Sequence, residues 1–329
     1  MSGLPWADGT ATGIGSLPGT DIVEALKLVF GELPDLPYLP ELPARGPGAD
    51  LIGRGAGLLV DLPVELYAGR WRIAMRPGRD ARRTVDLHER DLDALTEHAA
   101  GYTGPLKVQA AGPWTLATHL ELRTGWKVLR DHGAVRDLAA SLGEGVRGYV
   151  AEVAARVPGA RPLLQLDEPS LPAVLAGRVS TPSGWGTLPA VEEATATAML
   201  AEVVAQAGVP VVVHCCAPEV PIGLVRDAGA VAVALDLALL DDLDPLGEAL
   251  DAGFGLLAGA VPAVADSRPQ AGAIADRVRD LWRRLGLPEE RCAAQVVVTQ
   301  ACGLAGTTPD RARAVLAACR DAGRRLADG

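Results

Sequence analysis

Short aliphatic runs alternate along this chain with longer stretches that mix alanine and leucine with glutamate and arginine. Eight runs read as strands, at residues 11–16, 57–62, 106–111, 162–167, 209–215, 229–236, 253–260 and 294–301. Most lack polar alternation, as expected of parallel strands covered on both faces. Helical patterns fill the gaps, over 21–30, 86–100, 134–156, 190–207, 218–228, 238–252, 267–285 and 308–327. Eight β/α units in 329 residues predict an α/β fold, a single (β/α)8 TIM barrel spanning 1–329 as one domain. The Pro/Gly-rich stretch at 31–57 interrupts the rhythm and predicts a long loop across the barrel mouth.

In such barrels chemistry sits at the C-terminal ends of the strands, so those ends are the place to look. The run Val-Pro-Val-Val-Val at 209–213 stops on His214-Cys215-Cys216. The run at 231–235 stops on Asp236, and that at 296–301 stops on Cys302. A histidine, thiols and a carboxylate on one rim predict a zinc site. The bland alternative is that the cysteines are small core residues, as free cysteines usually are. Zinc held by histidine, thiolates and a carboxylate is a weak Lewis acid for water. Such a centre suits binding a substrate thiol, lowering its pKa from about 8.5 and leaving the sulfur nucleophilic. The ligand set therefore points to S-alkylation.

Other strand ends carry Gly13-Ile14-Gly15-Ser16, Gly112-Pro113-Trp114-Thr115 and Gln165-Leu166-Asp167-Glu168-Pro169. Adjacent residues on a strand face opposite ways, so Asp167 and Glu168 cannot form a facing pair. Asp167 is expected to point into the mouth and bind a substrate ammonium, and Glu168 to be a structural partner. Glu41 and Asp61 are candidate mouth acids. His88, His98, His119 and His132 read as surface or cap residues, and Cys292 and Cys319 as core or helix positions. Trp114 is open to two readings, stacking on a flat donor or core packing.

Composition narrows the picture. Hydrophobic residues make up 49% of the chain, enough for a full core. The net charge of −10 and the lack of a long Lys/Arg run argue against a nucleic-acid partner. No apolar stretch is long enough to cross a bilayer, so no membrane association is expected. Residues 1–9 have neither the basic nor the apolar region of a signal peptide. Five cysteines form no evident disulfide framework. A reducing, cytoplasmic location is expected, where thiols stay free for metal.

The motifs Ile14-Gly15-Ser16, Gln165-Leu166-Asp167-Glu168-Pro169, His214-Cys215-Cys216 and Cys302-Gly303-Leu304 resemble the C-terminal catalytic barrel of the cobalamin-independent methionine synthase family. That family lies within a superfamily that includes uroporphyrinogen decarboxylase. The motifs recur in the family's order and cover most of the chain. The resemblance implies zinc bound by His214, Cys216, Asp236 and Cys302, with Cys215 as a spacer. It implies that Ile14, Gly15, Ser16 and Asp167 hold homocysteine. It implies methyl transfer to the homocysteine thiol to form methionine, from methyltetrahydrofolate or from a methyl-corrinoid on a partner protein. The family's strand-6 ligand is usually Glu, against Asp236 here. Its histidine after strand 7 has no counterpart, Asp266 being the nearest polar residue, and its second, N-terminal barrel has no room in this chain.

Rival readings are alkyl transfer to another thiol, a uroporphyrinogen-decarboxylase-like enzyme without metal, and a non-catalytic zinc-binding barrel. The second calls for basic residues at the mouth, and the third for a closed four-ligand site.

Overall fold

Six of the eight aliphatic runs become neighbouring strands of one parallel sheet. The computed structural model describes residues 3–263 and 268–328. From the N-terminus come α1 (Ile22–Glu32), α2 (Leu51–Gly57), β1 (Val64–Tyr67), β2 (Arg70–Ile73), α3 (Arg79–His98), β3 (Gly104–Ala111), α4 (Pro113–His119) and α5 (His132–Arg156). Next are β4 (Ala160–Asp167), α6 (Leu171–Leu175), α7 (Glu193–Ala207), β5 (Val211–Cys215), α8 (Ile222–Asp227), β6 (Ala232–Asp236) and α9 (Asp244–Asp251). The chain ends with β7 (Gly255–Val261), α10 (Ala271–Arg284), α11 (Cys292–Gln295), β8 (Val296–Gln300) and α12 (Pro309–Ala327). Strands β3 to β8 pair in sequence order, all parallel, and β1 and β2 form a separate antiparallel hairpin. Among the described residues no helix is long and apolar enough to cross a membrane.

The eight regular strands expected are not all present. Two extended segments stand where the ring would close, and isolated bridges hold them. Residues 10–17 lie against β8, with Thr12 N–H donating to Val298 O and Val298 N–H to Thr10 O, both at 3.1 Å. Residues 37–42 lie against β3, with Lys107 N–H donating to Pro37 O at 2.9 Å and Leu39 N–H to Lys107 O at 3.1 Å. The two segments meet where Leu17 N–H donates to Glu41 O at 2.9 Å and Glu41 N–H to Gly15 O at 3.1 Å. Hydrogen bonding thus continues round the curled sheet from β8 to β3.

Two expectations are corrected here. The stretch 31–57 is not one loop, because it contains the extended segment 37–42, a 3₁₀ turn at Pro43–Arg45 and α2. Proline hid the extended segment. Pro40 supplies no N–H, but the donors used are those of Leu39 and Glu41 on either side of it. The run 57–62 is not a strand. Asp50 caps α2 by accepting from the N–H groups of Ile52 and Gly53, and the helix runs to Gly57. Leu58, Leu59 and Leu62 then pack against the core as loop residues. The helix expected from 267 begins at Ala271, and its first expected residue, Ser267, lies outside the described residues, as does Asp266.

Strand alternation divides the core in two. Leu106, Val108, Leu164, Leu166, Val211, Val213, Val233 and Leu235 face outward and join the large apolar cluster under the helices. Trp6, Ile14, Leu36, Leu163, Val212, Ala232, Ala234, Leu257 and Val297 form a smaller cluster inside the ring. Continuous apolar runs arise because both faces of each strand are covered. Inside, the apolar plug gives way toward the strand ends to polar residues that carry the site.

A buried ionic network ties this interior to the outer wall. Asp91 of α3 is fully buried and takes a two-pronged ion pair from Arg45, both contacts at 2.7 Å. It also accepts from Arg54 Nη1 at 2.9 Å. Arg54 Nε lies 3.3 Å from Glu41 Oε1. Without Arg54, Asp91 keeps its pair with Arg45 but loses one charged hydrogen bond, and Glu41 loses the cation beside it. The variant Arg54→Met should therefore lose about 1.5–3 kcal/mol of stability in denaturant unfolding, and a loss within experimental error would show that Arg54 is dispensable to the network.

Candidate metal centre and substrate mouth

His214, the penultimate residue of β5, faces inward, in register with Asp167 on β4 and Ala234 on β6. Alternation turns Cys215 to the outer face, level with Leu235, where it is buried and its thiol is pushed up to about 12, mainly by burial. Cys216 turns back inward. Cys302, just past β8, brings its Sγ within 3.2 Å of Cys216 Sγ. Ligand atoms of His214, Cys216 and Cys302 all lie within 4.8 Å of one another.

The electrostatics suit a cation. Nδ1 of His214 is hydrogen-bonded to Asp167 Oδ1 at 2.8 Å, so the ring is oriented by a carboxylate. Its Nε2 is buried and has no hydrogen-bond partner among the described residues. Burial disfavours the imidazolium, but the hydrogen bond and charge of Asp167 outweigh it and raise the pKa. The hydrogen bond between the two thiols holds Cys302 down to about 6 and, with burial, pushes Cys216 up. Donors 2.0–2.3 Å from a tetrahedral zinc stand roughly 3.3–3.8 Å apart. The two thiols, 3.2 Å apart, are close to that spacing, and the imidazole, with a buried orphaned nitrogen, offers a donor within 4.8 Å of both. These residues fit a zinc ion.

Asp236 stands outside this cluster. Its Oδ1 accepts from Ala238 N–H at 2.9 Å and caps the 3₁₀ turn Leu237–Leu239. The short side chain bends back to its own backbone, a habit of Asp at element ends. Asp61 also stands elsewhere. With no strand at 57–62 to carry it inward, it is exposed, with φ of 54°, next to Val60, whose carbonyl accepts from Ser141 of α5.

Ile14, Gly15, Ser16, Glu41 and Asp167 do come together. Ile14 O accepts from Lys107 Nζ at 2.9 Å and from Gln165 Nε2 at 2.8 Å. Gln165 Nε2 also donates to Asp167 Oδ1 at 2.7 Å. Ser16 O accepts from Leu304 N–H at 2.8 Å, and a Cβ on Gly303 would fall 2.0 Å from Ser16 Oγ, so the strand-1 end packs directly on the Cys-Gly-Leu segment. Gly13 is needed because a Cβ there would enter the Tyr38 ring at 2.4 Å. Glu41 is buried beside Arg54. Burial pushes its carboxyl up to about 7, with Asp167 adding to the effect and Arg54, Gln109 and Lys107 opposing it.

Glu168 faces away from its neighbour, as alternation requires. Its carboxylate accepts from Trp114 N–H at 2.9 Å and from Thr115 N–H and Oγ1, both at 2.7 Å. It caps α4 and forms no salt bridge among the described residues. Trp114 is buried with Nε1 donating to Ala196 O, so it is a packing residue. His132 begins α5 and His119 ends α4, both exposed. His88 and His98 instead pack edge-on against Tyr149 and Phe30. Cys292 and Cys319 are buried.

Sequence reading missed Lys107, Gln109, Arg54 and Tyr38. A signal existed for two of them: in Leu106-Lys107-Val108-Gln109-Ala110 polar residues alternate with apolar ones inside a strand otherwise fit for a core. That pattern marks groups facing the interior of a ring.

A curled parallel sheet with a His/Cys cluster and several buried polar side chains at its strand ends is a barrel-like α/β fold with a candidate metal centre. Residues 9–325 match the family model described as cobalamin-independent synthase, catalytic domain, and the chain belongs to that family. Among solved structures it resembles a B12-independent methionine synthase from Shewanella sp. W3-18-1 in complex with selenomethionine, at 13% identity and a TM-score of 0.64, over 98% of each chain. It also resembles a methyltransferase from Methanosarcina mazei, at 14% identity and a TM-score of 0.55, over 98% of this chain and 94% of the other. No curated protein matches the chain.

Glu41 generates a pH test. Its folded-state pKa is raised, so below about 4.5 it is protonated in both states, and between 4.5 and about 7 only the unfolded chain ionises. Wild-type stability should fall relative to Glu41→Gln as pH rises through that window. Parallel unfolding curves for the two proteins from pH 4.5 to 7 would show that Glu41 is not held neutral.

Proposed function

We propose that this protein is a zinc-dependent methyltransferase that methylates the thiol of homocysteine to give methionine. The observation that carries the reading is the buried, unpartnered Nε2 of His214 directed at two thiols, with Asp167 behind the ring. His214, Cys216 and Cys302 would hold the metal. When bound, zinc would favour thiolate over thiol in the substrate at neutral pH. Three protein donors leave one position open, as catalytic zinc sites do.

The chain's own residues supply binding and orientation. Asp167 has two oxygens and two roles. Oδ1 orients His214 and takes the Gln165 amide, while Oδ2, with no hydrogen-bond partner among the described residues, is available to the substrate ammonium. The N–H groups of Gly15 and Ser16 donate to no acceptor among the described residues and suit the substrate carboxylate. Glu41 stands as a second acid for the ammonium. Holding the amino acid at these points lowers the entropy cost of bringing its sulfur to the donor methyl.

The donor, methyltetrahydrofolate or a methyl-corrinoid presented by a partner protein, would approach over a cleft of about 720 Å³ lined by Trp71, Thr118, His119, Glu121, Lys127 and Ser183. Its walls include segments that follow β3 and β4, which puts it on the same face as the metal centre. Five cysteines without a disulfide suit a reducing, cytoplasmic setting.

Elemental analysis of the purified protein should find about one zinc per chain. Cys216→Ser and Cys302→Ser should lose it, and Cys215→Ser and Asp236→Ala should keep it. Zinc retained by both of the first pair would remove the metal assignment.

In calorimetry the zinc-loaded protein should bind homocysteine far more tightly than homoserine, which lacks the sulfur. Asp167→Asn should weaken homocysteine binding. Equal affinity for the two amino acids would sink the thiol-acceptor reading even with zinc in place.

A further inference from the structure

Lys107 is an unusual residue to find where it is. It lies on β3, fully buried, in register with Leu163 of the inner apolar cluster. Burying an ammonium is expensive, and an apolar chain of similar length would be cheaper. Its Nζ makes three contacts. It donates to Ile14 O at 2.9 Å and to Gln109 Oε1 at 3.2 Å, and it lies 5.0 Å from the centre of the Tyr38 ring. Its long-range partners are Asp167 and Glu41, the two acids of the mouth.

These contacts fall on the least supported backbone in the ring. Residues 10–17 and 37–42 have only isolated bridges to their neighbours. Side chains of the sheet take over where a ladder would normally act. Lys107 and Gln165 converge on Ile14 O, and Gln109 Nε2 donates to Leu39 O at 2.7 Å. From Ile14 O the path continues through Gln165 and Asp167 Oδ1 to His214 Nδ1, every contact 2.7–2.8 Å. Without the lysine, Ile14 O keeps one donor of two, and the following Gly15–Ser16 peptide loses the anchor that sets its direction.

We propose that Lys107 is a positioning residue for the amino-acid part of the substrate: by bonding Ile14 O from inside the ring, next to Glu41 and Asp167, it holds the Gly15 and Ser16 N–H groups toward the mouth. The inference rests on the homocysteine reading above. It assigns Lys107 no contact with substrate and no part in holding metal. Its effect is specific to the amino and carboxyl groups of the substrate and leaves the sulfur end alone.

The test compares wild type with Lys107→Met and Lys107→Gln, all zinc-loaded, by calorimetry with homocysteine and with propane-1-thiol, which has the sulfur but neither charged group. Depriving the buried Ile14 carbonyl of a donor costs enough that homocysteine should bind about tenfold more weakly to the variants. Propane-1-thiol binding and zinc content should be unchanged. Amide hydrogen exchange at Leu17 and Glu41, whose N–H groups bridge the two closing segments, should speed up about tenfold, with Val212 and Val213 of β5 unaffected. Equal weakening of both thiols, loss of zinc, unchanged homocysteine binding, or failure of both variants to fold would each overturn the proposal, the last by assigning Lys107 to stability. No homocysteine binding by wild type would remove the substrate reading itself, and this inference with it, a result distinct from the other four.

Discussion

The arrangement of the mouth depends on one backbone carbonyl. Ile14 belongs to a segment with no regular ladder, and its oxygen is satisfied by Lys107 and Gln165, two side chains reaching across the inside of the ring. A buried carbonyl must find donors, and here the donors are also the link to the site. Gln165 hands the connection to Asp167, and Asp167 to His214. The strand-1 segment expected to hold substrate and the histidine expected to hold metal are thus parts of one hydrogen-bonded chain.

Strand alternation gives adjacent residues different work. Asp167 and Glu168 are neighbours in sequence, yet the first bonds His214 of the His/Cys cluster and the second caps α4 through three hydrogen bonds. His214 and Cys216 face the interior, and Cys215 between them faces the helices. The same rule puts Lys107 and Gln109 inside and Leu106 and Val108 outside. A ring can therefore carry a polar interior near its strand ends without giving up the apolar layer under its helices.

Glu41 couples this interior to the periphery. It is bridged to Ser16 on one side and paired with Arg54 on the other, and Arg54 passes the contact to Asp91 and so to Arg45. Arg54 is shared between Glu41 and Asp91, so the position of Glu41 and the α2–α3 packing are mutually dependent. This explains why a stretch rich in Pro and Gly is ordered: Asp50 starts a helix that delivers Arg54 to its two carboxylates.

The sequence by itself determined the parallel α/β class, six of the strands, most helices and the His/Cys rim, because each is written in local patterns: aliphatic runs, helical periodicity and ligands at run ends. It also carried enough to separate Asp167 from Glu168, since period two is a local property. Only the tertiary structure decided the closing segments. The extended backbone at 37–42 has three-residue proline spacing and no strand signature, and it is extended because Lys107 and Gly15 supply its partners. Asp236 and Asp61 followed the same logic in reverse. Asp236 looked like a metal ligand and Asp61 like a mouth acid from their places in aliphatic runs, but Asp236 caps its own turn and Asp61 sits on a run that never enters the sheet. The roles of Lys107, Gln109 and Arg54 could not be read in advance either. A buried polar group is defined by partners distant in sequence, and those partners exist only once the ring has formed.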